Sequence, residues 1–323
     1  MLLWFARTTA RRLIVWAVAL VLLVAYTYYQ THSIRLTRHS VSVAGLPAHL
    51  DGITILHLSD LHSKEFGRGQ ARLAAMLGRL DFDIAVLTGD FIDAIKQVKK
   101  PALDVVAALK GKPAFYVFGN HDMRPECDAT AELRVLGVQV LRDQATQVTV
   151  RGDRLWVLGV DCAYSTAQGF DEVVRQAGTA QTTLLLAHAP GVFEQAAAAG
   201  VDVVFAGHTH GGQVRLPFVG AIYAPGQGLF PRRSWGLYWS GRTTMIVSAG
   251  LGESIVPFRF HCRPEVVLVT LRSAAARSSA PIAPAPGPAM AGQAVLGQEM
   301  PGQAVVGQEM PRFTGTCTRL VEY

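Results

Sequence analysis

Asp60 with His62, Asp90, Asn120 with His121 and Asp122, His188, and His208 with His210 hold most of the chain's capacity for metal-ligand chemistry. They occupy five short segments: Asp60-Leu61-His62, Gly89-Asp90, Gly119-Asn120-His121-Asp122, His188, and Gly207-His208-Thr209-His210. The donors are carboxylate, amide and imidazole without thiolate, a set that suits Mn, Fe or Zn in a reactive site rather than a structural zinc cage. There are enough of them for two adjacent divalent ions. A carboxylate bridging two cations about 3.5 to 4 Å apart lets a shared water lose a proton near neutral pH. The resulting hydroxide is itself a nucleophile, so a hydrolytic site built this way needs no side-chain nucleophile.

Such a site depends on the elements that carry it. Apolar runs of strand length occur at 53–58, 84–87, 115–118, 155–158, 183–187, 203–206, 245–247 and 266–271. Helical spacing of apolar residues appears at 68–80, 102–110, 126–136 and 192–199. The alternation predicts an α/β domain. In such folds the ligand crevice lies beyond the carboxyl ends of the strands, and all five segments fall there. Asp60 and His62, like His208 and His210, are two apart, so an extended chain directs each pair to one side.

Each residue also has an ordinary reading. A single Asp after a strand is usually a turn former or helix cap, and for Asp60 or Asp90 alone that reading would prevail. Occurrence of the whole set in order favours metal binding. Asp122 is read equally well as a local cap. His57, inside the first strand, and His32, His39, His49 and His261 lack companion ligands and are assigned to packing or surface, and Asp93 and Asp161 to solvated loops.

The ordered set DxH, GD, GNHD, H and GHTH resembles the calcineurin-like metallophosphoesterase superfamily over residues 51–271. The resemblance implies a four-layer αββα sandwich with a dinuclear metal site. By position, Asp60, His62 and His210 would bind one ion, Asn120, His188 and His208 the other, and Asp90 would bridge them. It also implies catalytic roles for His121, near the leaving group, and for Asp122, orienting His121. Phe91-Ile92-Asp93 and Asp122 stand where the superfamily's protein phosphatases carry Arg and Glu, which argues against a protein serine/threonine phosphatase. The contexts Leu46-Pro47, Gly207 to Gln213, Gly250-Leu251-Gly252 and Pro257 to Glu265 are similar to bacterial membrane-anchored phosphodiesterases, including the UDP-2,3-diacylglucosamine pyrophosphatase-like branch.

From 13 to 29 the chain has no charge and is long enough to cross a ~30 Å hydrocarbon core. Arg7, Arg11 and Arg12 precede this segment, while Tyr26, Tyr28 and Tyr29 end it. An uncleaved single-pass anchor is the expectation, over a cleaved or twin-arginine export signal, with the large domain on the extracytoplasmic side. The expected organisation is a cytoplasmic stub and anchor at 1–38, a catalytic domain at 39–272 and a low-complexity, disordered tail at 273–323. That tail repeats GQAVLGQEMP at 292–301 as GQAVVGQEMP at 302–311.

The net charge of +6 sits mostly in residues 1–38, since 273–323 is balanced and 39–272 holds 22 basic against 21 acidic residues. A nucleic-acid groove is therefore not indicated. Cys127, Cys162, Cys262 and Cys317 show no CxxC spacing and read as buried small hydrophobes. Residues 216–238, apolar and aromatic with Arg232, Arg233 and Trp235 among them, read either as a lip for lipid headgroups or as an irregular loop packed on the domain. The expected function is hydrolysis of phosphodiester or pyrophosphate bonds in a lipid-linked or nucleotide-sugar substrate. The alternatives are a phosphomonoesterase and a membrane-tethered, non-catalytic metal-binding module.

Overall fold

Period-two alternation within the apolar runs decides how the chain layers. In 53–58 and 84–87, Ile53, Ile55, Ile84 and Val86 point to one side, while Leu56, Leu58, Ala85 and Leu87 point to the other. Both sides are buried, as expected of strands covered on two faces. The computed structural model describes residues 2–161, 167–178, 181–254 and 256–274.

Helix α1 (Leu2–His32) leads into β1 (Arg35–Val43). The first half of the domain is β2 (Thr54–Leu58), α2 (Ala71–Leu77), β3 (Ile84–Leu87), α3 (Lys100–Ala107), β4 (Ala114–Tyr116), α4 (Thr130–Val135) and β5 (Val138–Val140). The second half opens with β6 (Gln144–Val150), β7 (Asp153–Val160), α5 (Ala167–Ala177), β8 (Thr183–Ala187), α6 (Phe193–Ala198) and β9 (Val203–Ala206). Four two-residue strands follow: β10 (Arg215–Leu216), β11 (Gly220–Ala221), β12 (Tyr223–Ala224) and β13 (Gly228–Leu229). Then come β14 (Gly236–Ser240), β15 (Thr243–Val247) and β16 (Glu265–Ser273).

Twelve of the strands form two six-stranded sheets, ordered β1-β16-β2-β3-β4-β5 and β14-β15-β9-β8-β7-β6, while β10 pairs with β11 and β12 with β13. Within them β2 to β5 are mutually parallel, as are β7, β8, β9 and β15. Ile55, Val86, Phe115 and Val117 of the first sheet face Val157, Leu186, Val203 and Phe205 of the second across a shared core. Leu56, Leu87 and Tyr116 pack against Leu73, Val105 and Leu133 of α2, α3 and α4. On the far side Leu185 and Val204 meet Phe170, Val173 and Phe193 of α5 and α6. The layers therefore run helix, sheet, sheet, helix, the expected αββα sandwich.

The sequence expectation lacked β1, β5, β6, β14 and α5. All four of these strands are sheet edges, in short or mixed sequence such as Gln144–Val150, where polar residues interrupt the apolar run. The helices are also shorter than their spacing suggested, since short 3-10 turns occupy Arg68–Gln70, Pro125–Cys127 and Pro190–Val192. Asp161 is not a solvated loop acid: it is buried, and Arg142 Nε donates to it at 2.6 Å. Cys127 and Cys262 are buried and free. Cys162, Cys317 and the repeats at 292–311 lie outside the described residues.

The uncharged segment 13–29 lies within α1. One stretch, Arg11–His32, is long and apolar enough to cross a membrane. Its large side chains from Leu13 to Val24 are half exposed or more, whereas Gln30 and Thr31 are buried by the domain. Tyr26 lies at the boundary, its hydroxyl 2.8 Å from His261 Nδ1 and its ring edge-on to Phe260.

Candidate metal centre

Asp60, His62, Asp90, His208 and His210 all have positive φ, between 49° and 68°. This left-handed region is uncommon for residues with a Cβ, and its recurrence at strand ends turns each loop sharply so that its side chain points back over the sheets. Gly89 and Gly207 permit the crowding that results. A Cβ on Gly89 would collide with the backbone of Gly119, and one on Gly207 with the side chains of Ser59 and Asp60. The carboxyl ends of β2, β3 and β4 thus meet those of β8 and β9 at the seam between the sheets.

All seven expected ligands converge there. Asp60, His62 and His210 present donor atoms within 4.8 Å of one another, and so do Asp90, His188 and His208. Asp90 Oδ2 lies between the groups, 3.6 Å from His62 Nε2 and 3.1 Å from His188 Nε2. Asn120 Oδ1 completes the second group, 3.2 Å from His188 Nε2.

The hydrogen bonds behind these side chains fix which atoms point inward. His188 Nδ1 lies 2.8 Å from Thr88 O and His210 Nδ1 lies 3.2 Å from Gly252 O. A carbonyl only accepts, so each Nδ1 carries a proton and Nε2 is the ring atom left to face the cluster, free to offer a lone pair once its own proton is displaced. Around His188 Nε2 stand a carboxylate oxygen, an amide oxygen and His208 Nδ1, the last at 3.1 Å. The two oxygens are acceptors, and crowding them around one nitrogen favours positive charge there, a proton on Nε2 or a cation in its place. His62 Nε2 is buried with no hydrogen-bond partner. An orphaned imidazole nitrogen aimed into this cluster is what a metal ligand requires, so the residues fit divalent cations.

The electrostatics agree. Burial disfavours charge on His188, yet the Asp90 carboxylate outweighs it and raises the imidazole pKa to about 10. Burial raises the Asp60 pKa, whereas the Asp90 pKa is held well below the usual range because His188 overcomes its burial. Burial, then the neighbouring His188, pushes His208 down to about 3. A field that draws positive charge this strongly to Asp90 is suited to hold cations.

Comparison with known proteins follows this geometry. The chain is 31% identical over 229 residues to the uncharacterized metallophosphoesterase YkoQ of Bacillus subtilis, covering 69% of this chain and 84% of that one. It is 30% identical over 225 residues to the phosphodiesterase YaeI of Escherichia coli, covering 67% and 81%. A Bos taurus transmembrane protein with a metallophosphoesterase domain is 28% identical over 259 residues, covering 74% and 57%. Residues 53–212 match the family model described as calcineurin-like phosphoesterase. The chain belongs to the calcineurin-like phosphoesterase family. It is accordingly a hydrolase of phosphoric esters, and the family implies divalent metal ions at the His/Asp groups.

In this phosphoesterase the two expected catalytic residues have different surroundings. Asp122 is buried, and its carboxylate accepts the backbone N–H groups of Asp90 at 2.5 Å, Gly119 at 3.0 Å and Ile92 at 3.3 Å. None of these bonds goes to the His121 ring. His121 Nδ1 instead accepts the N–H of Ala94 at 3.0 Å, and its ring stands edge-on to His62 with centroids 4.5 Å apart. Asp122 thus ties the second and third motif loops together.

Asp93 was missed as a site residue. It is buried, and its carboxylate stands 3.3 Å from His62 Nδ1. Its position three residues after Asp90 was the available signal, obscured because a lone loop Asp ordinarily faces solvent. Asp161, His49 and His261 lie apart from the centre, paired with Arg142, Asp153 and Tyr26.

Proposed function

We propose that this phosphoesterase hydrolyses phosphodiester or pyrophosphate bonds of a lipid-linked or nucleotide-sugar substrate at a membrane surface. The observation that carries the reading is the crowding of Asp90 Oδ2, Asn120 Oδ1 and His208 Nδ1 around His188 Nε2, beside the group of Asp60, His62 and His210. Asp60, His62 and His210 would hold one ion and Asn120, His188 and His208 the other, with Asp90 standing between the two groups. When bound, two divalent ions supply an activated water and neutralise phosphoryl charge.

The chain's own residues do the rest. Asp122 keeps Asp90 and the Gly119 turn in register, so the donors stay at fixed separations. Burial lowers the His121 pKa, which keeps the ring neutral at pH 7. Because Nδ1 accepts the Ala94 N–H, the proton of that neutral ring resides on Nε2. His121 Nε2–H is then the donor for the departing oxygen, a role that needs no ionised imidazole.

Location supports the substrate class. The stretch Arg11–His32, long and apolar enough to cross a membrane, supports a bilayer location for the domain, and the bovine relative carries a transmembrane description. We assign the domain to the extracytoplasmic side, because Arg7, Arg11 and Arg12 precede the uncharged segment 13–29.

The test uses full-length protein stripped of metal and reloaded with Mn, Fe or Zn. Hydrolysis of bis(p-nitrophenyl) phosphate exceeding that of p-nitrophenyl phosphate is expected, with UDP-2,3-diacylglucosamine assayed beside them. Absence of turnover under every metal, in folded protein, makes the chain a binding module; preference for the monoester makes it a phosphomonoesterase.

A further inference from the structure

The ribbon β10 to β13 exposes more apolar surface than an irregular loop packed on the domain would. Phe218 is 98% exposed, and Leu216, Val219, Leu229 and Phe230 are exposed beside it. Phe218 and Phe230 also have φ of 65° and 53°, unusual for bulky side chains. Apolar groups gathered on one surface mark a contact with something apolar.

The position of the ribbon says what that is. Val214 bridges in parallel to Phe260, the Arg215 N–H donates to Phe260 O at 3.0 Å, and the Phe260 N–H donates to Gln213 O at 2.8 Å. Phe260 and His261 in turn hold Tyr26 of α1. Tyr26 lies within the apolar stretch Arg11–His32, six residues before its end, about 9 Å along the helix. Protein that grips a helix at that depth stands at the level where hydrocarbon meets headgroups. From Phe260 the hydrogen bonds continue outward: the Ile222 N–H donates to Val214 O, and the Phe230 N–H to Ile222 O. Exposed Phe258 lies two residues before Phe260 on the same strand-like segment, and exposed Arg232 follows the outer tip.

The ribbon also reaches the metal centre. Gly226, in the turn between β12 and β13, is close enough that a Cβ there would stand 3.5 Å from His208 Nε2. Arg259, buried beside Phe260, hydrogen-bonds the carbonyls of His210, Gly250 and Gly252, and its N–H donates to Thr31 Oγ1 of α1 at 2.9 Å. Helix end, ribbon and metal ligands are thus one connected body.

We infer that the β10–β13 ribbon is a second membrane contact, inserting Phe218, Leu229 and Phe230 into the leaflet that receives the end of α1. The occupant of this surface is the phospholipid bilayer itself. With two contacts the domain cannot swing on its helix, and the mouth beside His208 and Gly226 is held at headgroup level, where a lipid phosphodiester presents its phosphorus. The inference rests on the membrane placement in the proposed function, but not on turnover.

The test reconstitutes full-length protein in phosphatidylcholine vesicles containing lipids brominated along their acyl chains. Phe218→Trp and Phe230→Trp are compared with Val135→Trp. Val135 is also highly exposed, between Phe218 and Phe230 in degree, but it leads into β5, at the opposite edge of the first sheet from β1. The emission added by Trp at 218 and 230 is expected to be quenched several-fold more than that added at 135, after subtraction of the parent's signal. Equal quenching at the three positions overturns the inference. In a second arm, the triple variant Phe218→Ser, Leu229→Ser, Phe230→Ser is expected to lose tenfold or more of its rate on dioleoyl phosphatidyl-p-nitrophenol in vesicles, and to keep the parent's rate on soluble bis(p-nitrophenyl) phosphate. Equal loss on both substrates overturns the positioning role. An inactive parent refutes the proposed function, while the quenching still decides the membrane contact.

Discussion

Asp93 Oδ2 stands 3.3 Å from Nδ1 of His62, while Oδ1 of the same carboxylate accepts the N–H groups of Ile95 and Lys96 at 3.0 and 2.9 Å. One end of the carboxylate is therefore fixed by backbone, and the other fixes an imidazole whose opposite nitrogen, Nε2, is buried and unpaired. Carboxylates behind metal-ligating histidines set the ring's tautomer and raise its basicity. Asp93→Ala is expected to weaken metal affinity about 10- to 100-fold, with Asp93→Asn losing less because it keeps an acceptor. Titration of stripped protein against a chromogenic chelator reads the affinity. Unchanged affinity in Asp93→Ala would remove Asp93 from the metal centre's support.

His121 is expected to matter in proportion to the leaving group. A proton or hydrogen bond from Nε2 helps most when the departing oxygen is strongly basic. His121→Ala should lower turnover by about 10²- to 10⁴-fold for poor leaving groups and far less for p-nitrophenolate. Its metal content should match the parent's, because no expected ligand is lost. Rates across aryl phosphodiesters of increasing phenol pKa measure this. A uniform loss across the series would mean that His121 positions substrate or metal instead.

Asp122 should separate from His121 by stability. Its carboxylate satisfies three buried N–H groups, of Asp90, Gly119 and Ile92. Leaving a buried donor unpaired costs about 1–3 kcal/mol, so Asp122→Ala is expected to destabilise the fold by about 3 kcal/mol or more. Denaturant melts of metal-stripped protein check this. A stable Asp122→Ala variant with selectively impaired turnover would return Asp122 to the role of orienting His121.

These residues show what the sequence made legible and what it hid. The central strands were readable because both faces are buried and the runs are continuously apolar, as in Thr183–Ala187. Edge strands such as β1 and β6 alternate polar with apolar residues and lacked that signature. The ligands were readable because ordered spacing, DxH and HxH, carries chemistry even before tertiary structure is known. Asp93 and the backbone partners of Asp122 were not, since a carboxylate's acceptor role depends on which loop folds over it. The partner of His121 proved to be a main-chain N–H, and no residue type announces that.

His57 predicts an acid limb of stability. It lies buried between the sheets, with Nε2 2.8 Å from Thr88 Oγ1, its ring edge-on to Phe205, and Nδ1 without a partner. Burial, reinforced by His39, pushes its pKa from 6.5 down to about 3. Between those values the unfolded chain binds a proton that the folded chain refuses. The stability that depends on neutral His57 is therefore complete above about pH 6.5 and falls as the pH drops toward 3, by about 1.4 kcal/mol per unit. His57→Phe keeps the ring contact with Phe205, and Thr88 Oγ1 keeps its bond to Ser59 Oγ at 2.8 Å. In chelated protein, denaturant melts between pH 6.5 and pH 4.5 should show the parent losing stability faster than His57→Phe, with the difference growing at each step. At neutral pH the variant is expected to be at least as stable, because it no longer buries an unpaired ring nitrogen. Parallel curves for the two proteins would show that His57 accepts its proton without cost to the fold.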